Sequence, residues 1–196
     1  MKKIILIVFI LIGNNCINSQ TVRAGTTINI SLGNTNLDYQ FGPALVLDYS
    51  LKDLPISFQL RTRFYITAID SKRLSAAYSN NLFSIGSLIN YFPIVSKIEP
   101  YIGLGLFYNS NNFAQDGNAT GESFLNYSES SNFSGEIIGG IKFFADKSFN
   151  LIIEVTRTLN NTGKVSTYDL EHKNVIKEED ISFNSIFIKA GILFKI

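Results

Sequence analysis

Two arginines, Arg61 and Arg63, lie in the middle of a segment that otherwise reads as an apolar β-strand. Residues 57–68 alternate, with large apolar side chains on one face and both arginines on the other. The same alternation places further charges on the polar faces of other segments, namely Arg23, Lys142, Lys189, Asp38, Asp48, Glu136 and Glu154. The positive and negative residues of this set are nearly equal in number. These groups could therefore pair in a shared interior or line a narrow ion path.

Catalytic and metal-binding chemistry has few candidates in this sequence. His172 is the sole histidine, and it lies in a charged segment without strand periodicity, so it has no positioned nucleophile of the kind that a hydrolase needs. The acidic residues Glu171, Glu178, Glu179 and Asp180 are typical of a solvated loop, with a site for a hard cation as the alternative. We predict no enzyme activity, no metal and no cofactor.

The amino-terminal residues have the organisation of a secretory signal. Met1 to Lys3 are followed by the apolar residues 4–12 and then by a polar stretch, and this apolar run is too short to span a bilayer as a helix. We predict a signal peptide at residues 1–19 and a single domain at residues 20–196. Cys16, the only cysteine, then leaves with the signal; lipidation at Cys16 is the alternative.

Composition narrows the class of protein further. The chain has 17 basic and 16 acidic residues and a net charge of +1, which gives no concentrated basic surface for nucleic acid. No apolar run after Ile12 approaches the length of a membrane-spanning helix. The domain is therefore either soluble or crosses a membrane as strands.

Alternation with a period of two recurs in eight segments of the chain. They are residues 22–32, 37–51, 56–69, 81–92, 101–109, 133–144, 150–159 and 182–195. Each is long enough for a tilted membrane strand, whereas soluble strands average about five or six residues. Tight turns follow the second, fourth and sixth segments, and long polar loops at 70–80, 110–132 and 160–181 follow later odd-numbered ones. The pattern predicts an all-β fold, an eight-stranded antiparallel up-and-down transmembrane β-barrel.

This combination of signal, strands and turns resembles the small outer-membrane β-barrel proteins called porin-family or OmpA/OmpX-like, especially those of Bacteroidota. The resemblance covers the whole mature chain and implies a location in the bacterial outer membrane, in contact with its lipid. In such a barrel the apolar faces meet lipid and the polar faces point into the lumen. Eight strands leave a lumen that side chains fill.

We therefore expect a polar, plugged lumen in which the charged residues pair with each other and with neutral polar neighbours. The expected neutral partners are Asn29, Gln59, Tyr65 and Asn90. Aromatic residues near the strand ends predict two interfacial girdles: Tyr39, Phe41, Phe83, Tyr108, Phe133 and Phe183 toward the long loops, and Tyr49, Tyr91, Phe143 and Phe194 toward the short turns. Pro43, which cannot donate within a closed sheet, predicts a bulge beside Gly42.

Three functions are compatible with this sequence. The one we favour is a structural or surface-interaction barrel, monomeric, whose loops at 110–132 and 160–181 meet an extracellular ligand or partner protein. Phe124, Tyr127 and Tyr168 are the candidate contact residues in those loops. The alternatives are a narrow small-solute or ion channel and a soluble lipocalin-like carrier, in which the apolar faces would line a ligand cavity.

Overall fold

The computed structural model describes residues 20–32, 40–51, 54–67, 77–116, 125–145, 147–169 and 174–196. The predicted signal peptide with Cys16, and the candidates Asp38, Phe124 and His172, lie outside the described residues. None of the described residues belongs to a helix that is long and apolar enough to cross a membrane.

The described residues form ten β-strands. In chain order they are β1 Gln20–Ser31, β2 Gln40–Leu51, β3 Ile56–Thr67, β4 Ala77–Tyr91, β5 Ile98–Asp116, β6 Leu125–Phe143, β7 Phe149–Leu159, β8 Thr162–Tyr168, β9 Val175–Ser182 and β10 Ile186–Lys195. Alternating sequences favour strands because neighbouring side chains point to opposite faces, so that one face can be apolar and the other polar.

Eight of these strands close into an antiparallel barrel. The sheet runs in the order β5, β4, β3, β2, β1, β10, β7, β6, and pairing between β5 and β6 closes the ring. Each barrel strand thus pairs with the barrel strands before and after it in the chain, and β1 meets β10. The predicted eight-stranded up-and-down barrel is confirmed.

The two faces of the barrel differ sharply in polarity. Burial alternates along each barrel strand, as in β2 and β7. Leu45 is 68% exposed and Leu104 67% exposed on the outside, whereas Arg61 is only 1% exposed inside. An apolar exterior around a charged interior is the reverse of a soluble carrier barrel, so the structure excludes the lipocalin-like alternative.

The loop predicted at residues 160–181 is instead mostly β-structure. Strands β8 and β9 form an antiparallel hairpin there, and Ser166 to Tyr168 pair with Leu125 to Tyr127 of β6. The neighbouring loop at 110–132 is also shorter than predicted, since β5 and β6 extend well beyond the barrel and pair with each other. These segments contain few large apolar side chains and therefore have no regular apolar alternation, which is why the sequence pattern did not indicate them.

Pro43 does not cause the predicted bulge. The register of β2 is continuous against β1 through the Ile28–Pro43 pair, and it is unchanged against β3 on either side of Gly42 and Pro43. Pairing with β3 is interrupted at Gly42 and Pro43, so no ladder bond requires the N–H that Pro43 lacks. A Cβ at Gly42 would lie 1.9 Å from the Phe64 carbonyl oxygen. The two strands approach closely at this point without an extra residue.

Most of the predicted aromatic girdle residues that the structure describes face outward. Phe41, Phe83, Tyr108 and Phe133 are exposed at the long-loop end, with Tyr108 and Phe133 in edge contact. Phe183 is an exception and the prediction for it was wrong, because it is buried and packs against Phe113 beneath the β8–β9 hairpin. Tyr39 lies outside the described residues.

Candidate functional site: the charged lumen and the extracellular sheet

Eight of the nine charged residues that the alternation assigned to the polar faces lie in the lumen, and the ninth, Asp38, is outside the described residues. Each of the eight is at most 7% exposed, and they are Arg23, Asp48, Arg61, Arg63, Glu136, Lys142, Glu154 and Lys189. They come from six different strands. Closure of the barrel therefore brings together groups that are far apart in the sequence, and it arranges them in three layers along the axis.

Arg61 and Glu154 form the central layer. The Arg61 guanidinium donates from Nη1 to Glu154 Oε2 and from Nη2 to Glu154 Oε1, each at 2.5 Å, across a sequence separation of 93 residues. Its Nε donates to Gln59 Oε1 at 2.9 Å, and the Tyr101 hydroxyl donates to Glu154 Oε1. Both charges are thus fully engaged, which is the condition for keeping an ion pair out of water.

Arg63, Glu136 and Lys189 form the layer on the long-loop side of Arg61. Arg63 pairs with Glu136 and donates to Ser84 Oγ at 2.9 Å. The Arg63 guanidinium also lies 3.7 Å from the centre of the Phe107 ring, a cation–π contact. Lys189 Nζ lies 3.7 Å from Glu136 Oε2, so two cations share this carboxylate.

The third layer lies toward the short turns and is built around Asp48. Gln59 Nε2 donates to Asp48 Oδ1 at 2.8 Å, and Lys142 Nζ approaches Asp48 Oδ2 at 3.4 Å. Arg23 is opposite Asp48 in the β1–β2 register, yet its Nη2 donates to the Ala145 carbonyl oxygen at 2.9 Å instead. Gln59 links this layer to the central one because its carbonyl oxygen binds Arg61.

Two members of the network were missed by the sequence pattern. Glu99 lies on the lumen face near the short-turn end, on the same alternation as Tyr101, but β5 begins at Ile98 and not at Tyr101 as predicted. Tyr101 itself is 2% exposed and hydrogen-bonded to Glu154. Extending the period of two by one more pair of residues would have placed Glu99 inside.

The lumen is filled by apolar side chains between the charged layers and is open near the short turns. Leu88, Phe107 and Ile138 pack together in the interior, as do Val46 and Leu193. A cavity of about 560 Å³ opens at the short-turn end, lined by residues that include Thr21, Arg23, Leu54, Phe92, Glu99 and Lys142. Solvent therefore reaches this end of the network, whereas the central layer is enclosed.

The opposite end of the lumen is covered by the β8–β9 hairpin. Val165 of β8 and Ile181 of β9 pack on the buried pair Phe113 and Phe183. Asn161, which joins β7 to β8, exchanges side-chain hydrogen bonds with Asn111 of β5. The hairpin is therefore fixed to the barrel by its own apolar contacts and polar anchors.

The β6, β8 and β9 strands form a small sheet that projects beyond the barrel. Among the described strands, β9 pairs only with β8 and forms the edge of this sheet. Of the predicted contact residues, Tyr127 and Tyr168 both lie here, on strands that pair with each other. The Tyr127 hydroxyl donates to Glu129 Oε2 at 3.0 Å, and this bond raises the pKa of Tyr127.

Of the acidic residues predicted as alternatives for a cation site, the three that the structure describes lie along one strand, and Glu171 is outside the described residues. Across the part of the chain that the structure describes, no group of three or more His, Cys, Asp or Glu side chains is arranged to hold a metal ion. Glu178, Glu179 and Asp180 lie in sequence on β9 and are exposed, and Glu179 pairs with Lys177 at 2.6 Å.

Solved structures of similar fold identify the architecture. Neisserial surface protein A superposes with a TM-score of 0.58 at 17% identity, over 90% of this chain and 97% of that chain. A major outer membrane protein from Thermus thermophilus gives a TM-score of 0.60 at 10% identity, over 91% and 100%. The chain has the fold of the small outer-membrane β-barrels. Ail, the attachment invasion locus protein of Yersinia pestis, gives a TM-score of 0.51 at 10% identity, over 91% and 98%.

No family model matches the sequence, and no curated protein matches it significantly. The resemblance is thus one of fold, carried by strand order and by the inverted polarity of the two faces. An apolar outer surface on a closed sheet of this fold is that of a protein that spans the bacterial outer membrane. The Bacteroidota subtype and the signal peptide at residues 1–19 stay predictions.

Proposed function

We propose that this protein is a surface-interaction barrel of the outer membrane, in which a plugged lumen anchors the projecting β6–β8–β9 sheet for binding to an extracellular protein. The filled central layer supports an anchoring role, since the Arg61 and Glu154 side chains occupy the axis of the barrel. The packed hairpin supports a preformed binding surface, which loses little conformational entropy when a partner binds.

The observation that carries this proposal is the free edge of β9. This strand pairs with β8 along one side, with a register shift beside Ile176, and with no other described strand. An exposed strand edge presents backbone donors and acceptors to an added strand, a common mode of peptide recognition. Val175 and Ile176, which are 47% and 63% exposed, supply apolar contact area next to that edge.

The charges on β9 define the chemistry of the partner. Glu178, Glu179 and Asp180 are consecutive and exposed, with Lys177 as the only cation of the strand. An extended segment with basic side chains would complement this edge, whereas an acidic segment would be repelled. Tyr127 and Tyr168 on the adjoining strands offer aromatic anchors for it.

Ail shows how this surface differs from that of a barrel of similar fold. Ail has been crystallised in complex with the heparin analogue sucrose octasulfate, a polyanion. The acidic β9 edge of the present chain is unsuited to a polyanion, so we propose a basic peptide segment of a partner protein as its ligand.

The test uses two short peptides of alternating lysine and valine, one unmodified and one N-methylated at every residue, so that no backbone N–H remains on either edge. Both have the same charge, but only the unmodified peptide can pair as a strand. With the protein in lipid nanodiscs, we expect fluorescence anisotropy to show binding of the unmodified peptide alone, and we expect the amide chemical shifts of β9 to move. The Glu178→Gln/Glu179→Gln variant should bind it about tenfold more weakly. The control Glu99→Gln, which removes a carboxylate at the short-turn end of the barrel, should bind it as the native protein does. Equal binding of both peptides, or of neither, would contradict the proposal.

A further inference from the structure

Arg157 is the one charged residue among the described outward-facing residues between the two aromatic girdles. The alternating burial of β7 puts it on the outer face together with Leu151, Ile153 and Val155, while Glu154 and Thr156 face the lumen. A guanidinium on a lipid-facing surface is unfavourable unless it reaches a polar group. Its position therefore calls for a partner outside the barrel.

The surroundings of Arg157 are apolar and supply no such partner. It is paired in register with Ile137 of β6 on one side and with Ile186 of β10 on the other. None of the described residues forms a hydrogen bond or an ion pair with its guanidinium. The buried cations Arg61 and Arg63, in contrast, both have carboxylate partners.

Arg157 lies at the extracellular margin of the apolar belt. It is two residues from the end of β7 at Leu159, and Asn160, with φ of 60°, begins the turn into β8. Its neighbour Ile186 is the first residue of β10. The flexible stem of an arginine at this height can carry the guanidinium up to the headgroup level of the outer leaflet.

Two glycines lie on the outer surface near Arg157. Gly135 and Gly139 of β6 flank Ile137 on the outward face, and Gly139 is paired with Val155. A Cβ at Gly139 would meet nothing within 4 Å, so the space over this glycine is open. An acyl chain can occupy that space and continue upward past Arg157.

We propose that Arg157 binds the phosphate group of a lipid in the extracellular leaflet, with an acyl chain of that lipid lying over Gly139. A guanidinium offers paired N–H donors that match the oxygens of a phosphate. The positive charge of Arg157 favours an anionic headgroup. The apolar side chains around it favour a ligand with an acyl chain over a free anion. The inference rests on the proposed location in the outer membrane.

Lipid A, a phosphorylated glycolipid, is the probe for this site. The native barrel in detergent micelles is titrated with lipid A, and retained lipid is counted by native mass spectrometry. We expect Arg157→Gln to lower retention about tenfold, since it removes a charge-assisted contact. The control Lys164→Gln loses the same charge from the exposed face of β8 above the belt and should retain lipid A normally. Arg157→Lys should be intermediate.

Two further experiments distinguish binding of a lipid from binding of free phosphate, and distinguish failure of this inference from failure of the barrel assignment. Dephosphorylated lipid A should bind the native protein as weakly as lipid A binds Arg157→Gln, and excess inorganic phosphate should not displace lipid A. Equal retention by all variants, or displacement by inorganic phosphate, overturns the inference. Each protein is also run on an SDS gel with and without boiling. If the native protein shows no heat-dependent shift, the outer-membrane barrel is refuted. If the barrel shifts on heating but retains lipid A equally well without Arg157, only this inference is refuted.

Discussion

Arg61 illustrates how single residues hold the interior of this barrel together. Its guanidinium binds both carboxylate oxygens of Glu154 and the carbonyl oxygen of Gln59, so removal of Arg61 leaves the Glu154 carboxylate buried without its cation. Burial of a matched ion pair adds little net stability, but an uncompensated buried charge is costly. The contribution of each residue therefore depends on whether its partner is still present.

We expect Arg61→Met to lower the free energy of unfolding by about 3–5 kcal/mol, because Glu154 stays buried without its cation. Adding Glu154→Leu should recover most of that loss, since both charges are then absent. Because the chain has no tryptophan, urea unfolding in lipid vesicles is best followed by the heat-dependent gel shift of the folded fraction. A double variant no more stable than Arg61→Met would show that the pair does not act as a unit.

The strands approach one another closely where glycines face the lumen. At Gly25 of β1, an added Cβ would lie 1.9 Å from the Ile192 carbonyl oxygen of β10, which is backbone and cannot move aside alone. Gly139 of β6 faces outward with open space over it. Glycines of the same barrel therefore have different roles, depending on which face they occupy.

Gly25→Ala should destabilise the barrel by about 1–3 kcal/mol, because β1 and β10 must separate to admit the methyl group. Gly139→Ala is the matched control and should change stability by no more than about 0.5 kcal/mol. Both are measured by the same urea unfolding experiment in vesicles. Equal effects of the two substitutions would mean that the close approach of β1 and β10 is relieved without cost.

The whole molecule combines a charged lumen, an apolar belt and a projecting sheet. Along the axis, the Arg61–Glu154 layer and the Phe113–Phe183 cap beneath the hairpin stand between the cavity at the short-turn end and the extracellular side. Both are stabilised by contacts from several strands. This arrangement favours an anchor for a binding surface over an open pore.

Purified protein in planar lipid bilayers should therefore show no conductance steps, with an open porin in the same bilayers as the positive control. The physical reason is that Arg61, Gln59 and Glu154 fill the centre of the lumen through mutual hydrogen bonds. Steps whose ion selectivity changes in Arg61→Ala or Glu154→Ala would support the channel alternative and refute the plugged lumen.

The alternation of apolar and polar residues was sufficient to predict the eight barrel strands, the polarity of their two faces and the charges on the inward face. A period of two is a local property: once one residue of a strand is assigned to a face, its neighbours follow. The same reasoning fails for β8 and β9, which have no regular apolar alternation. It also fails for Glu99, because β5 begins at Ile98, before the segment in which the alternation is clear.

Which charges meet depends on the closed barrel and could not be predicted from alternation. Arg23 is next to Asp48 across two strands but binds the Ala145 carbonyl oxygen, whereas Arg61 binds Glu154 from 93 residues away. The fold likewise turned Phe183 inward beneath the hairpin and left the β9 edge free of any other described strand. These outcomes follow from the register and closure of the whole barrel, which set distances across the lumen that no local pattern encodes.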